Sequence, residues 1–244
     1  MSTEGLVVVV IPTYGEAANL PEVLLRMAEL PEARRCQVLV VDDDSGDGIA
    51  EALGRLPPLP LAVTLVRRAG PKGRGLAGRE GFRLALDRGA ELIVEMDGDG
   101  SHDPAYIPRL IAAAAECDAA FGSRLVPGGS DGERILSRKF FTHLANFYVR
   151  VVLGLPLRDP NSGFRCYRRG ALEAIGVDSL RSKDCEIVQE TAYLLHRRGL
   201  RVREVPVAFH ERRHGKTTKT IRDVWNCFRT TLLLRLRADE SSRP

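Results

Sequence analysis

No apolar run in the 244-residue sequence approaches the roughly 20 residues that a membrane-spanning helix needs. The early run Leu6–Ile11 is short, follows Glu4 and gives way to the polar Pro12-Thr13-Tyr14-Gly15-Glu16, so it is not read as a secretory leader either. Cysteine is scarce. Cys36, Cys117, Cys166, Cys185 and Cys227 are scattered, odd in number and contain no C-x-x-C pair, which argues against a disulfide scaffold or structural zinc site and fits a reducing compartment. Neither sign of charge dominates: Lys and Arg number 36 against 32 Asp and Glu, far short of the basic excess of a dedicated nucleic-acid binder. Repeats and low-complexity tracts are absent, and collagen, coiled coil and bulk disorder are excluded with them. With 44% hydrophobic residues, the chain is expected to fold as one soluble domain, in the cytosol or on a membrane surface facing it.

What is present alternates. Leu6–Ile11, Val38–Val41, Leu61–Val66, Leu92–Met96 and Ala119–Phe121 are short β-branched and aliphatic runs, as expected of strands buried on both faces. Between them, Leu20–Leu30, Ile49–Leu56, Leu76–Leu86 and Tyr106–Ala115 carry apolar residues at helical spacing. Strand alternating with helix predicts an α/β fold, a mostly parallel twisted sheet with helices on both faces. The C-terminal third is more elaborate, with helices expected at Leu136–Val152 and Ile187–Arg198, turn chemistry at Asp159–Arg165 and a strand at Val202–Phe209. Residues 1–219 are taken as the catalytic domain and 220–244 as an amphipathic helix and tail. In that tail Ile221, Val224, Trp225, Phe228, Leu232 and Leu236 lie among Arg222, Arg229, Arg235 and Arg237. The pattern suits a helix lying on an anionic bilayer, and equally one packing its apolar stripe on the domain.

In a parallel sheet the ligand site lies at the carboxyl ends of the strands. Those ends carry Pro12–Glu16, Asp42-Asp43-Asp44-Ser45 and Asp97-Gly98-Asp99. Two carboxylates at i and i+2 after a buried strand can face a divalent cation and a diphosphate, and hard oxygen ligands suit Mg²⁺ or Mn²⁺. Alone, D-x-D is a common solvated turn; a second acidic cluster after a neighbouring strand gives it weight.

Ile11–Glu16, Val41–Ser45, Met96–Pro104, Gly122-Ser123-Arg124 and Ser162-Gly163-Phe164-Arg165 stand in the order and spacing of the family 2 glycosyltransferases. Within that family the chain more closely resembles the dolichol- and polyprenyl-phosphate mannosyltransferases, over residues 6 to 219. The resemblance implies a GT-A fold. It also implies that Pro12, Tyr14 and Glu16 lie along the nucleoside, with Asp43 on base or ribose. Asp97, Gly98 and Asp99 would form the D-x-D turn, with Asp99 the direct metal ligand and Ser101 completing the metal shell. Arg124 would reach the sugar or diphosphate, and Arg138 with Thr142, one helical turn apart, would grip the acceptor's phosphate. Arg212 and Thr217 match an arginine and a serine position of a basic loop that closes over the diphosphate. There the family's lysine position is Thr218, with Lys216 and Lys219 on either side. Gly15 and Gly98 stand where relatives more often carry Asn and Ala. His210 and His214 are not read as metal ligands, because Gly215 argues against the helix that would pair them.

The activity so implied is inverting transfer of a hexose, mannose from GDP-mannose being favoured, onto a polyprenyl or dolichyl phosphate. Mg²⁺ or Mn²⁺ would assist, Asp99, Arg124 and Arg212 would act at the reaction centre, and contact with the cytosolic face of a membrane would be peripheral. A UDP-sugar donor is the alternative within the class, and a silent nucleotide-binding scaffold the alternative outside it. Nucleic acid is not an expected partner, since the central motifs are acidic and repel phosphate unless a cation intervenes.

Overall fold

The computed structural model describes residues 5–132, 136–212, 214 and 228–236, with the backbone only at 137 and 138. In chain order the elements are β1 (Val7–Thr13), α1 (Leu20–Ala28), β2 (Cys36–Asp42), α2 (Ile49–Gly54), β3 (Ala62–Arg67), α3 (Arg74–Asp87) and β4 (Leu92–Glu95). Then follow α4 (Ile107–Ala114), β5 (Ala119–Ser123), α5 (Leu136–Leu153), β6 (Arg165–Arg168), α6 (Arg169–Ile175), α7 (Ile187–Arg197) and β7 (Val202–Pro206). The strands form one sheet in the order β3-β2-β1-β4-β6-β5-β7. β6 runs antiparallel to both its neighbours, and the other pairings are parallel. The predicted α/β class and mostly parallel sheet are therefore what the chain adopts.

The pleat explains why β1 reads as an unbroken apolar run. Val7, Val9 and Ile11 enter the core under α1 and α4, while Val8 and Val10 enter the opposite core with Ala77, Phe82 and Ala85 of α3. α3 lies close on the sheet: a Cβ at Gly81 would sit 2.2 Å from Val10 Cγ1. β1 pairs with β2 on one side and β4 on the other, so successive strands build outward in opposite directions from it. The crevice this reversal opens at the carboxyl ends of β1 and β4 is where α/β sheets hold ligands.

Two elements escape the sequence reading. β6 is Arg-Cys-Tyr-Arg, with no apolar run to mark it, and α6 follows it directly. Arg165 is nonetheless fully buried, because its guanidinium donates to the carbonyls of Pro160, Ser162 and Val188 and to Thr191 Oγ1, and lies 3.9 Å from the Phe121 ring centroid. The strand expected over Val202–Phe209 ends at Pro206, and Ala208 and Phe209 make isolated bridges to Ser130 and His102.

α5 turns an apolar face outward. Leu136, Phe140, Phe141, Leu144, Phe147 and Val151 are exposed, Phe140 at 64% and Phe147 at 62%, while Asn146, Val149 and Leu153 face inward. Of the amphipathic stretch 220–237, residues 220–227 and 237 lie outside those described. Residues 228–236 are helical and packed: Phe228 stacks edge-on against Tyr148 at 4.5 Å, and Thr231 Oγ1 bonds Gln189 Oε1 at 2.6 Å. Leu232 and Leu236 of this segment remain exposed.

Candidate active site

The end of β1 supplies the first wall of the crevice. Pro12 is buried in the strand, and Gly15 takes φ +77°, a conformation open to Gly and tolerated by Asn. Tyr14 is 52% exposed, with Lys72 Nζ 4.8 Å above its ring. Glu16 is buried, and its carboxylate accepts from Asn19 Nδ2 at 2.7 Å and Arg212 Nη2 at 2.6 Å. Burial pushes the Glu16 pKa above its ordinary value, with Asn19 and Arg212 pulling the other way.

Beyond β2, Asp43 is buried and both its oxygens are engaged within the chain, by the Arg68 guanidinium and by the Gly73 amide at 2.6 Å. This pairing ties the loop before α3 to the sheet. The expected contact of Asp43 with base or ribose thus competes with two bonds already made.

After β4 the chain turns through Asp97, Gly98, Asp99 and Ser101. A Cβ at Gly98 would come within 3.0 Å of Ile11 Cγ2 and 3.2 Å of Thr13 Cγ2, so the turn presses against β1 and suits glycine. Asp97 Oδ1 accepts from Arg74 Nε at 3.1 Å and Nη2 at 2.9 Å. Asp99 Oδ1 accepts from the Ser101 amide at 3.0 Å, and its Oδ2 stands 3.4 Å from Arg212 Nε. His102 closes the turn, its Nδ1 accepting from the Asp97 amide at 3.0 Å and its ring stacked on Phe164 at 5.0 Å. Burial lowers the His102 pKa against the pull of Asp97 and Asp99, which agrees with a neutral ring accepting that bond.

Arg124 follows β5 as expected, but its fork is taken. Nε and Nη2 bond the two oxygens of the buried Asp159, each at 2.7 Å, and Nη1 lies 3.7 Å from Asp131. In this conformation Arg124 anchors the loop that leads into β6. Burial opposes its charge, yet Asp159 more than offsets this and raises its pKa.

Arg212 reaches the crevice from nearly the far end of the chain. His210 N donates to Ser101 O at 3.0 Å, and two residues past Arg212 the backbone of His214 meets Asn19: His214 N donates to Asn19 Oδ1 at 3.0 Å and Asn19 Nδ2 to His214 O at 3.2 Å. A carboxamide offers donor and acceptor side by side, as a peptide group does, so Asn19 serves as a one-residue strand partner.

The sequence profile described as "Glycosyl transferase family 2" matches residues 8–176, more than half of the chain. The chain belongs to glycosyl transferase family 2. Among this family 2 chain's relatives, the "Undecaprenyl-phosphate mannosyltransferase" of Micrococcus luteus is 39% identical over 212 residues, covering 86% of each chain. The "Polyprenol monophosphomannose synthase" of Mycolicibacterium smegmatis is 38% identical over 209 residues, covering 85% of this chain and 78% of the relative. The mannosyltransferase PcManGT from Pyrobaculum calidifontis, solved with GDP-Man and Mn²⁺, superposes with a TM-score of 0.61 at 21% identity, covering all of this chain and 67% of its own. That likeness bears on the fold, which is shared.

Within this family 2 fold, Glu16, Asp99 and Arg212 are brought together, with Asp97 beside them. Thr142 lies on α5, partly exposed, and Arg138 one turn earlier has only its backbone described; Thr217, with Lys216 and Lys219, lies outside the described residues. A hard divalent cation suits the turn after β4. The Ser101 hydroxyl is buried with no hydrogen-bond partner among the described residues, beside the carboxylate of Asp99. Carboxylate and hydroxyl oxygens are the hard donors that Mg²⁺ and Mn²⁺ prefer.

Sequence reasoning passed over Arg74, Asn19 and Asp159. Only Arg74 carried a local signal, a cation at the first residue of a helix, where the helix dipole disfavours it. Asn19→Ala removes both bonds to His214. At about 1 kcal/mol net for each bond, the chain around Arg212 and His214 should open about thirtyfold more often. Limited trypsin digestion is expected to cut after Arg212 correspondingly faster than in the parent protein, with the remainder of the domain equally resistant.

Proposed function

We propose that this chain transfers mannose from GDP-mannose to a polyprenyl phosphate, with inversion at the anomeric carbon, while resting on the cytosolic face of a membrane. Supporting the substrate class are relatives near 39% identity whose names give undecaprenyl and polyprenol phosphates as acceptors and mannose as the sugar. The observation that carries the reading within this chain is the Glu16–Arg212–Asp99 cluster at the strand-order reversal, next to a buried Ser101 hydroxyl with no hydrogen-bond partner among the described residues.

The acceptor phosphate is already anionic near neutral pH, so the chemistry needs no strong general base. One phosphate oxygen forms the new bond to the anomeric carbon as the bond to the diphosphate breaks, and the electron pair leaves with GDP. The protein's contribution is positioning and charge. Asp99, Asp97 and Ser101 would hold Mg²⁺ or Mn²⁺, which supplies positive charge at the leaving diphosphate. Arg212, once drawn from Glu16 toward the diphosphate, adds a second positive charge there. Pro12 and Tyr14 flank the nucleoside, and Asp43, through Arg68 and Gly73, fixes the loop that faces it. Arg138 and Thr142 are assigned to the acceptor phosphate on the strength of the family motif. Arg124 is assigned to holding the Asp159 loop, from which it could turn to the donor only by giving up two charge-assisted bonds.

The outward apolar face of α5 is where we place the lipid. It begins beside Arg138, so an acceptor whose phosphate meets that residue would have its prenyl chain run along Phe140, Leu144, Phe147 and Val151. An exposed stripe of this size on a soluble domain marks an interaction surface. No helix among the described residues is long and apolar enough to cross a membrane, so attachment through such a face would be peripheral.

Two experiments test this reading. Transfer assayed with GDP- and UDP-sugars, with and without a polyprenyl phosphate, should give product from GDP-mannose only when the lipid phosphate is present. Asp99→Ala should lower kcat at least about a hundredfold, as loss of an electrostatic stabiliser does, and weaken Mn²⁺-dependent GDP binding. Product from a UDP-sugar alone, or unchanged turnover in the variant, would refute it. For the membrane face, Phe140→Ser with Phe147→Ser should abolish sedimentation with anionic liposomes without lowering the melting temperature. If sedimentation persists undiminished, α5 is not the contact and the basic C-terminal segment must supply it.

A further inference from the structure

Arg74 lies at the centre of the acid cluster after β4, and neither the family motifs nor the mechanism above gives it a role. It is the first residue of α3, at the end of the helix where a positive charge is disfavoured. A residue that breaks a local rule and is still held rigidly is a candidate for function. Its guanidinium spends three of its five N–H groups on two carboxylates: Nε and Nη2 on the single oxygen Oδ1 of Asp97, and Nη1 on Oε1 of the buried Glu95 at 3.0 Å. The surroundings are shaped for it. A Cβ at Gly163 would come within 2.8 Å of Nη2, so glycine leaves the channel through which the fork passes. The start of α3 is pinned as well, since the amides of Gly75 and Leu76 both donate to Lys183 O, at 3.1 and 3.2 Å. A Cβ at Gly75 would lie 2.7 Å from the carbonyls of Ser182 and Asp184, so this end of the helix has no room to shift. Burial works against the Arg74 charge, but Asp97 and Glu95 more than offset it, and the group stays protonated.

A fixed cation beside one of two metal-facing carboxylates has a consequence. We propose that Arg74 is a positioning residue that occupies Asp97 and competes there with the divalent cation, so that the empty site holds the cation weakly and the nucleotide diphosphate is needed to complete its binding. The proposal rests on the metal reading given above. Asp99 and Ser101 then carry most of the protein's share of the cation, with Asp97 holding it less strongly, and the diphosphate supplies the negative charge that Arg74 has neutralised on Asp97. Cation and nucleotide consequently bind together and leave together, and the acid cluster does not trap a cation once GDP has gone.

Mn²⁺ titrations followed by the electron paramagnetic resonance of the free ion, with and without saturating GDP, test this on the intact protein. The parent protein should bind Mn²⁺ much more tightly with GDP than without. Arg74→Gln keeps an N–H donor for Asp97 but removes the charge, and should tighten Mn²⁺ binding without GDP about tenfold, shrinking the advantage that GDP confers. Arg74→Lys retains the charge and should stay within about threefold of the parent. Should the Gln variant fail to fold, Arg74→Met fills the same channel without charge, and the same result is expected of it. An uncharged variant that folds and binds Mn²⁺ no more tightly than the parent overturns the proposal. If the parent protein itself binds no Mn²⁺ even with GDP, the metal reading falls, and the proposal with it.

Discussion

A parallel sheet gathers the ends of its strands at one edge, and here those ends carry Glu16, Asp43, Glu95, Asp97 and Asp99. Like charges about 4 Å apart near a protein surface repel by about 4 kcal/mol at an effective dielectric of about 20, so such an edge cannot stand uncompensated. The compensation comes from arginines distant in sequence. Arg68 pairs with Asp43, Arg74 with Glu95 and Asp97, and Arg212 with Glu16 and Asp99. Each pair also fastens a piece of chain that apolar burial alone would not fix: the loop before α3, the start of α3, and the segment after β7. The acidity that suits the crevice to a cation and a diphosphate is the same acidity that assembles its walls.

Compensation within the chain also sets what the site can do. Arg212 meets Glu16 and Asp99 through single contacts, at 2.6 and 3.4 Å. A diphosphate entering the crevice would compete with these carboxylates for Arg212. Arg124, by contrast, is matched in bidentate fashion to Asp159, and that geometry favours staying in place. The two arginines that the family motifs place at the reaction are thus held unequally in this chain, Arg212 by single contacts and Arg124 by a bidentate pair. On the outer side, α5 is apolar on both faces, burying Val149 and Leu153 beside Asn146 while leaving Phe140 and Phe147 exposed. An exposed apolar face of this kind is what the proposed lipid contact uses.

The sequence was most legible where physics is local. Leu6–Ile11 and Val38–Val41 announce buried strands because β-branched runs have few other uses, and the polar residues that follow them announce the site because a parallel sheet puts them there. Legibility failed where a residue's environment is made by distant chain. Arg165 looks like a surface residue and is buried because carbonyls from Pro160, Ser162 and Val188 converge on it. Asn19 carries no signal of its own in the sequence, because besides Glu16 its partner is His214, 195 positions away. The tail's pattern suits either a bilayer or the domain, and in its described part Phe228 packs on Tyr148 while Leu232 is exposed. The helix α5 was legible, but which of its faces meets the core depends on packing that no window of sequence contains.

The central claim is that the turn after β4 holds a divalent cation jointly with a nucleotide diphosphate. Crystals grown with GDP and Mn²⁺, and measured at the manganese absorption edge, test it most directly. The account predicts an anomalous peak bridging the diphosphate and the Asp99 carboxylate, on the side of the Ser101 hydroxyl, with Asp97 still bonded to Arg74. GDP bound in the crevice with no peak there, or a peak seated away from Asp99, would contradict it.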